Sequence, residues 1–393
     1  MIIVSKVIIY IIMACAAAGC IASIVKPESE LGQQFMEGIN AIGSIFLPVA
    51  GIMASLPILS KLVTVGIGPV FKLFGADPAI AATTLLAVDM GGYQLAESLA
   101  QTKEAWIIAT TTGYMAGATI VFSLPIALKI VKEKFHKQLS LGMMIGFITI
   151  PVGVFISCIM IMLTNPAIRE VVSTDPNAAT IVLSMTFQQI IINLIPLIIV
   201  CSLLAFGLWK NSNVMIRGFQ AFGKFVDAFT KIVFTLVVIE YFTSVFSTLF
   251  GGWVFDPIIA DSIDQNRALE VAGYIGMMLC GAFPMVYLIQ KFASKPIEKL
   301  SKKMNLSSNF ATGILAATTN VIALFSMIDD SMDDRDIVSL IGFSVCGAFL
   351  IGDHLAFTAN FQPNLIVPVM LGKLGAGILA VVIARKFVKG QLQ

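Results

Sequence analysis

Four carboxylates stand in or beside the apolar stretches of this 393-residue chain: Asp89, Glu97, Glu240 and Asp353. A carboxylate in hydrocarbon is costly unless it is paired or hydrated, so each marks a place where a cation can be held. Asp89 is followed by Gly91-Gly92-Tyr93, where missing side chains admit a close approach and the tyrosine offers a cation an aromatic face. The competing role is structural: a buried aspartate that caps a broken helix half or pairs with a lysine. Asp353 lies in Gly352-Asp353-His354, with Phe357 and Phe361 downstream, a second acidic and aromatic cluster suited to a small amine. There His354 either relays protons or fixes the carboxylate. The alternative is an interfacial turn with Asp353 hydrogen-bonded to His354.

Glu240 is alone in FTLVVIEYFTS and is expected to face other helices, toward substrate or Lys231. Glu97, beside Lys103 and Glu104, reads as an ordinary carboxylate at a span end. Neutral polar residues cluster at Gln188, Gln189 and Asn193, and again at Thr318, Thr319 and Asn320. Gln188 and Asn320 are carried as substrate-binding candidates, with bonding between helices as the commoner use of such residues. Gly113-x-x-x-Gly117 and Gly142-x-x-x-Gly146 have the close-packing spacing of membrane helices and read as structural. No HExxH or GxSxG arrangement is present, and Gly372-Lys373-Leu374-Gly375-Ala376-Gly377 lacks the spacing of a phosphate loop. With two histidines, neither a metal site nor a catalytic triad is expected, and no cofactor and no enzymatic activity.

These residues must be positioned by membrane helices. The chain is 58% hydrophobic and only 12% charged, with mean hydropathy +0.93, so lipid is its solvent. A net charge of +2, scattered over loops, excludes nucleic acid as a partner. The six cysteines lie in or at the ends of apolar stretches and read as packing residues. Ala17-Ala18-Gly19-Cys20 loosely resembles a lipoprotein cleavage site, but an uncleaved first span suits a chain that is membrane throughout.

Hydropathy places about eleven spans, near residues 6–25, 41–60, 78–100, 105–128, 139–163, 180–208, 225–250, 269–290, 309–328, 337–358 and 364–386. The expectation is an all-α polytopic membrane protein forming a single transporter domain over 1–393. Basic segments at 129–137, 210–224 and 291–303 alternate with acidic ones at 26–37, 256–270 and 329–336. Retention of Lys and Arg in the cytoplasm then predicts a cytoplasmic N-terminus and outer acidic loops. Eleven crossings, however, put the C-terminus outside, against Arg385-Lys386 and Lys389. One segment is therefore re-entrant or the count is wrong, and the suspects for broken or re-entrant backbone are 85–97 and 351–368, which mix acidic, Gly or Pro residues into apolar surroundings. A shift of about 230 residues superposes halves at about 1–163 and 225–393, linked by the span at 180–208. Same-sign loops in matching places suggest a parallel repeat.

Five motifs, LLAVDMGGYQLA (85–96), MIRGFQAFGKF (215–225), GAFPMV (281–286), GDHLAF (352–357) and VMLGKLGAG (369–377), occur in one order along the chain. In these the chain resembles the ethanolamine transporter family EutH over almost its whole length. The resemblance implies uptake of ethanolamine across a bacterial cytoplasmic membrane, by facilitated diffusion, to supply an ammonia-lyase enclosed in a microcompartment. It brings no settled list of binding residues. Protonated ethanolamine needs carboxylate or aromatic partners for its ammonium and dipoles for its hydroxyl, which fits the acidic clusters. Alternatives are a proton- or sodium-coupled symporter or a channel for another small polar amine or amino acid, and more remotely an intramembrane enzyme or sensor. Partners are the small-molecule substrate and the lipid bilayer, and a homo-oligomer is left open.

Overall fold

The computed structural model describes residues 2–172, 178–303 and 307–387. Its helices are α1 (Ile2–Val25), α2 (Glu30–Ala54), α3 (Leu56–Val65), α4 (Gly68–Leu73), α5 (Pro78–Leu85), α6 (Gly92–Leu99), α7 (Lys103–Thr112), α8 (Leu124–Ile130) and α9 (His136–Thr164). After a small hairpin of β1 (Ala167–Arg169) and β2 (Ala179–Val182) come α10 (Phe187–Lys210), α11 (Ser212–Thr243), α12 (Val245–Phe250) and α13 (Ala268–Lys303). The chain ends with α14 (Ser308–Thr319), α15 (Val321–Ser326), α16 (Asp334–Gly347), α17 (Asp353–Phe361) and α18 (Ile366–Phe387). A π-helical segment, Gly113–Ser123, joins α7 to α8. Pro125, which has no N–H to offer, follows it closely.

Polar contacts at helix ends define two faces. Lys134 pairs with Asp330, Ser140 with Ser212, and Arg385 with Asp336 at 2.6 Å, so the starts of α9, α11 and α16 and the end of α18 share one face. At the other face Asn364 donates to the Ala167 carbonyl at 2.8 Å, joining the start of α18 to the strand that follows α9. Among the described residues, seven helical runs are long and apolar enough to cross a membrane unaided. The long α11 and the interrupted α16–α17 pair also run from face to face, which makes nine such runs among the described residues.

The two remaining hydropathy segments are hairpins that return to the face they left. In α5–α6, Asp77 before the first helix accepts from the Gln101 N–H after the second at 2.8 Å. In α14–α15, Ser307 bonds Asp336 and Asn309 Nδ2 lies 3.4 Å from Ser331 Oγ, so its two ends also meet. The hairpins enter from opposite faces. The expected count of eleven crossings is not confirmed: residues 85–97 belong to a re-entrant element, 351–368 is an interrupted run, and the segment read from sequence as a span at 309–328 is the second hairpin, α14–α15. The C-terminal Arg385 thereby joins the face carrying residues 129–137, while Lys389 lies outside the described residues.

The acidic segment 329–336 reaches this same basic face, not the opposite one. So does 26–37, because α2 runs antiparallel to α13, with Gly38 against Cys280 and Gly276 against Ile42. Loop alternation fails here because Asp and Glu contribute little to orientation, which Lys and Arg govern. Helix α1 runs beside α13 in the same direction, Ile12 at Gly281 and Gly19 at Pro284, and so begins on the face opposite the basic one.

Helices matched by the 230-residue shift also run against each other. Gly153 meets Ala376 while Ser157 meets Gly372, so α9 and α18 are antiparallel. Thr119 donates to Val345 O at 2.8 Å, whereas Tyr114 bonds Thr358 at 2.6 Å, which makes α7–α8 and α16–α17 antiparallel as well. A parallel repeat requires the opposite. Close packing is by small residues: Gly142 and Gly146 sit against Ile341 and Val345 of α16, as their spacing predicts.

Candidate functional site

The tip of the first hairpin is built by a forced break. Helix α5 stops where Leu86 turns extended (φ −119°, ψ 136°), and a single 3₁₀ turn, Val88–Met90, carries Asp89. Gly91 closes the turn at φ 92°, a left-handed conformation that glycine adopts without strain, and the Gly92 N–H reaches Ala87 O at 3.0 Å. A Cβ on Gly92 would stand 2.5 Å from that carbonyl. Gly117 leaves room for Leu86 O, which a Cβ there would approach to 2.0 Å. The Gly113/Gly117 pair thus seats the hairpin tip on the π-helical segment.

The second tip is held by the interruption in α16–α17. Carbonyls at the end of α14 have no partner within their helix. Ala317 O accepts from Phe349 N at 3.1 Å and Thr318 O from Ile351 N at 2.9 Å, so the break between Gly347 and Asp353 satisfies them. Phe349 takes φ 58°, an uncommon conformation for a bulky residue, and its ring lies between Phe122 and His354. Helix α17 begins at Asp353, whose carboxylate sits in its positive first turn. Helices α5, α14 and α16 end in this central layer, and their negative C-termini favour a cation between them.

These breaks bring Asp89 and His354 together, with Oδ2 of Asp89 4.0 Å from Nε2 of His354. The histidine side chain is 2% exposed and the aspartate 26%, so the carboxylate faces reachable space. Asp353 is half-buried and immediately precedes His354 at the start of α17. Among the described residues neither carboxylate pairs with Lys or Arg, and no hydrogen bond joins Asp353 to His354. The Nδ1 of His354 is buried without a partner.

Tyr93 is packed among Trp106, Phe357 and Phe361, and its hydroxyl accepts from Gln362 at 2.7 Å. It is a wall of the site rather than an open aromatic face. The ring beside His354 is Tyr114, edge-on to it at 5.1 Å, with its hydroxyl accepting from Thr358 at 2.6 Å. Lys373, fully buried in α18, donates to Tyr114 O at 3.0 Å. Sequence reasoning weighed carboxylates and missed this residue. The signal was available, since a lysine in the middle of an apolar span bears the same desolvation cost.

Other candidates stand apart. Glu240 caps the turn into α12, accepting from Phe246 N at 2.9 Å, and Lys231 pairs instead with Asp227 at 2.7 Å. Gln188 is exposed. Gln189 completes the capping box of α10, and Asn193 Oδ1 accepts from Asp77 N at 2.8 Å, an interhelical bond of the expected kind. Asn320 lies at the second tip, extended, with its side chain accepting from Ile322 N at 2.9 Å as the cap of α15. Glu97 lies 3.9 Å from Lys103. A chamber of about 600 Å³ extends from Lys129 and Lys224, near the basic face, past Phe122 to Met90, the neighbour of Asp89.

Residues 4–387 match the family described as "Ethanolamine utilisation protein, EutH". The chain belongs to this family. It is 36% identical over 381 residues to the "Probable ethanolamine permease EutH" of Listeria monocytogenes, covering 97% of this chain and 93% of that one. The protein of that name in Escherichia coli is also 36% identical, over 91% of this chain and 85% of its own. The "Uncharacterized protein YxeR" of Bacillus subtilis is 30% identical over 89% and 86%. No solved structure matches. Of the segments that carried the resemblance, 85–96 spans the tip of the first hairpin and 352–357 the start of α17.

Proposed function

We propose that this chain is a transporter that moves ethanolamine across a bacterial cytoplasmic membrane, with its ammonium held between Asp89 and Asp353. One observation carries the site: the Asp89 carboxylate, 26% exposed and 4.0 Å from Nε2 of His354, has no Lys or Arg in ion-pair reach among the described residues, and Asp353 precedes that histidine where two half-helix breaks meet, in a family whose relatives are named ethanolamine permeases. Tyr114 supplies a ring for the cation, and the surrounding dipoles suit the hydroxyl. The membrane potential contributes about 2.3 kcal/mol per 100 mV to uptake of a cation, so facilitated diffusion needs no coupling ion.

The halves at about 1–163 and 225–393, linked by the span at 180–208, form an inverted repeat in this reading. Antiparallel pairs α2/α13, α9/α18 and α7–α8/α16–α17 support it, as do hairpins from opposite faces. The basic face is cytoplasmic by its Lys and Arg excess. This sets the C-terminus inside and, with nine crossings, the N-terminus outside, replacing the cytoplasmic N-terminus expected from loop charge. Reporter fusions at the two ends test that assignment.

Uptake of labelled ethanolamine into proteoliposomes tests the site. Asp89→Asn and Asp353→Asn should each abolish saturable uptake by folded protein, while Glu240→Gln and Gln188→Ala leave it intact. Undiminished uptake by D89N removes Asp89 from the site, and failure of unlabelled ethanolamine to compete rejects the substrate. Uptake that follows a proton gradient with the potential clamped would favour proton coupling, for which His354 beside Asp89 is the observation.

A further inference from the structure

The imidazole of His354 is buried, and among the described residues no hydrogen bond reaches either of its ring nitrogens. A neutral imidazole carries one N–H donor and one lone pair, and leaving both unmet in a dry interior is costly. Its neighbours do not meet them. The rings of Tyr114 and Phe349, with centroids 5.1 and 5.3 Å away, hold the imidazole by packing, and the hydroxyls of Tyr114 and Thr358 are engaged with each other at 2.6 Å. Nε2 lies 4.0 Å from Oδ2 of Asp89, too far for a direct bond. The gap is bounded by an acceptor-only carboxylate on one side and an unmet ring nitrogen on the other.

The carboxylate takes the substrate ammonium in the site described above, and the inference rests on that reading. Ethanolamine carries its hydroxyl two carbons from the ammonium, so hydrogen bonds of about 2.8 Å from its two ends reach two groups that stand this far apart. A hydroxyl both donates and accepts, and it therefore satisfies Nε2 in either tautomer, whereas an ammonium, which only donates, satisfies one. We propose that His354 reads the substrate hydroxyl and so selects a short amino alcohol over its isostere propylamine, in which a methyl group replaces the hydroxyl. A buried group built to bond a hydroxyl rejects the analogue that lacks one, because it is then desolvated and left unpaired. Asp89 supplies attraction for any small amine, and His354 supplies the choice among them.

The test is competition against uptake of labelled ethanolamine in proteoliposomes, with unlabelled ethanolamine and propylamine as the competitors. In the parent, propylamine should need at least about tenfold more for half-inhibition than ethanolamine does. Equal competition overturns the proposal. His354→Leu should bring the two half-inhibiting concentrations within about twofold of each other, by weakening ethanolamine while sparing propylamine. A ratio unchanged from the parent, with both amines weakened alike or neither, means that the histidine only positions Asp89, and it overturns the proposal too. His354→Phe, which keeps a ring between Tyr114 and Phe349, gives the same reading if H354L extracts poorly. Failure of the site reading is distinguishable, because Asp89→Asn would then retain saturable uptake. Loss of uptake in D89N beside an unchanged ratio in H354L rejects the hydroxyl assignment alone.

Discussion

The Asp89 carboxylate stands 4.0 Å from Nε2 of His354, and this approach couples the tip of the first hairpin to the start of α17. The separation exceeds a direct hydrogen bond, so it is a contact of charge with dipole or one bridged by water. It gives the carboxylate an orientation that no basic side chain supplies.

Replacing the imidazole should therefore loosen substrate binding more than it harms the fold. His354→Gln, which keeps a polar tip, is expected to raise the KM for ethanolamine about tenfold, equivalent to about 1.4 kcal/mol. Uptake kinetics at matched protein content decide this. An unchanged KM would show that Asp89 needs no positioning by His354.

Seating of the first tip depends on an absent side chain. A Cβ on Gly117 would lie 2.0 Å from Leu86 O, whereas nothing lies within 4 Å of one on Gly43. Gly117→Ala should cost about 1–3 kcal/mol by overpacking, lower the melting temperature in detergent and cut uptake. Gly43→Ala should do neither. Equal melting temperatures for the two variants would contradict the close approach.

The basic face is tied by Arg385, which pairs with buried Asp336 at 2.6 Å and lies over the Phe310 ring at 4.4 Å. Asp336→Asn leaves the guanidinium half-buried without its counter-charge and removes an acceptor from Ser307. A loss of about 3 kcal/mol is expected, since removing one partner of a buried pair is costly. Thermal unfolding of purified protein measures it, and an unaltered transition would reduce the pair to a surface contact.

The chamber that ends at Met90 should be open to the basic face. Ser44→Cys lines it and is exposed, so on a background lacking the six native cysteines it should react with a membrane-impermeant thiol reagent from that face alone. Reaction from the opposite face in sealed vesicles would contradict this sidedness.

One loop carries a pH signature. Asp261 accepts from the Asp264 and Ile263 N–H groups, both at 2.8 Å, and these bonds together with Arg267 hold its carboxyl below the usual range. A depressed folded value adds stability above the unfolded pKa, which is lost as pH falls through the folded one. Protection of those two amides from hydrogen exchange should therefore persist above about pH 4 and fade below it. Asp261→Asn should flatten the profile, and identical profiles would refute the bond's role.

Membrane residence, the eleven apolar segments and the acidic residues inside two of them were all legible in the chain, because desolvation is a property of composition and local pattern. The hairpin near Asp89 was foreshadowed for the same reason: Gly91-Gly92 beside a carboxylate breaks a helix whatever surrounds it. No such signal marks the break at Asn320, where the orphan carbonyls of α14 are satisfied by Phe349 and Ile351, more than thirty residues on. The sequence by itself determined that this protein lives in lipid, that its family is EutH, and that Asp89 and Asp353 must be accounted for. Only the tertiary structure decided that two segments turn back, that matched helices run antiparallel, and that His354 stands beside the Asp89 carboxylate. Hydropathy scores each segment against lipid alone, while direction, depth and charge pairing are set by contacts between segments far apart in the chain.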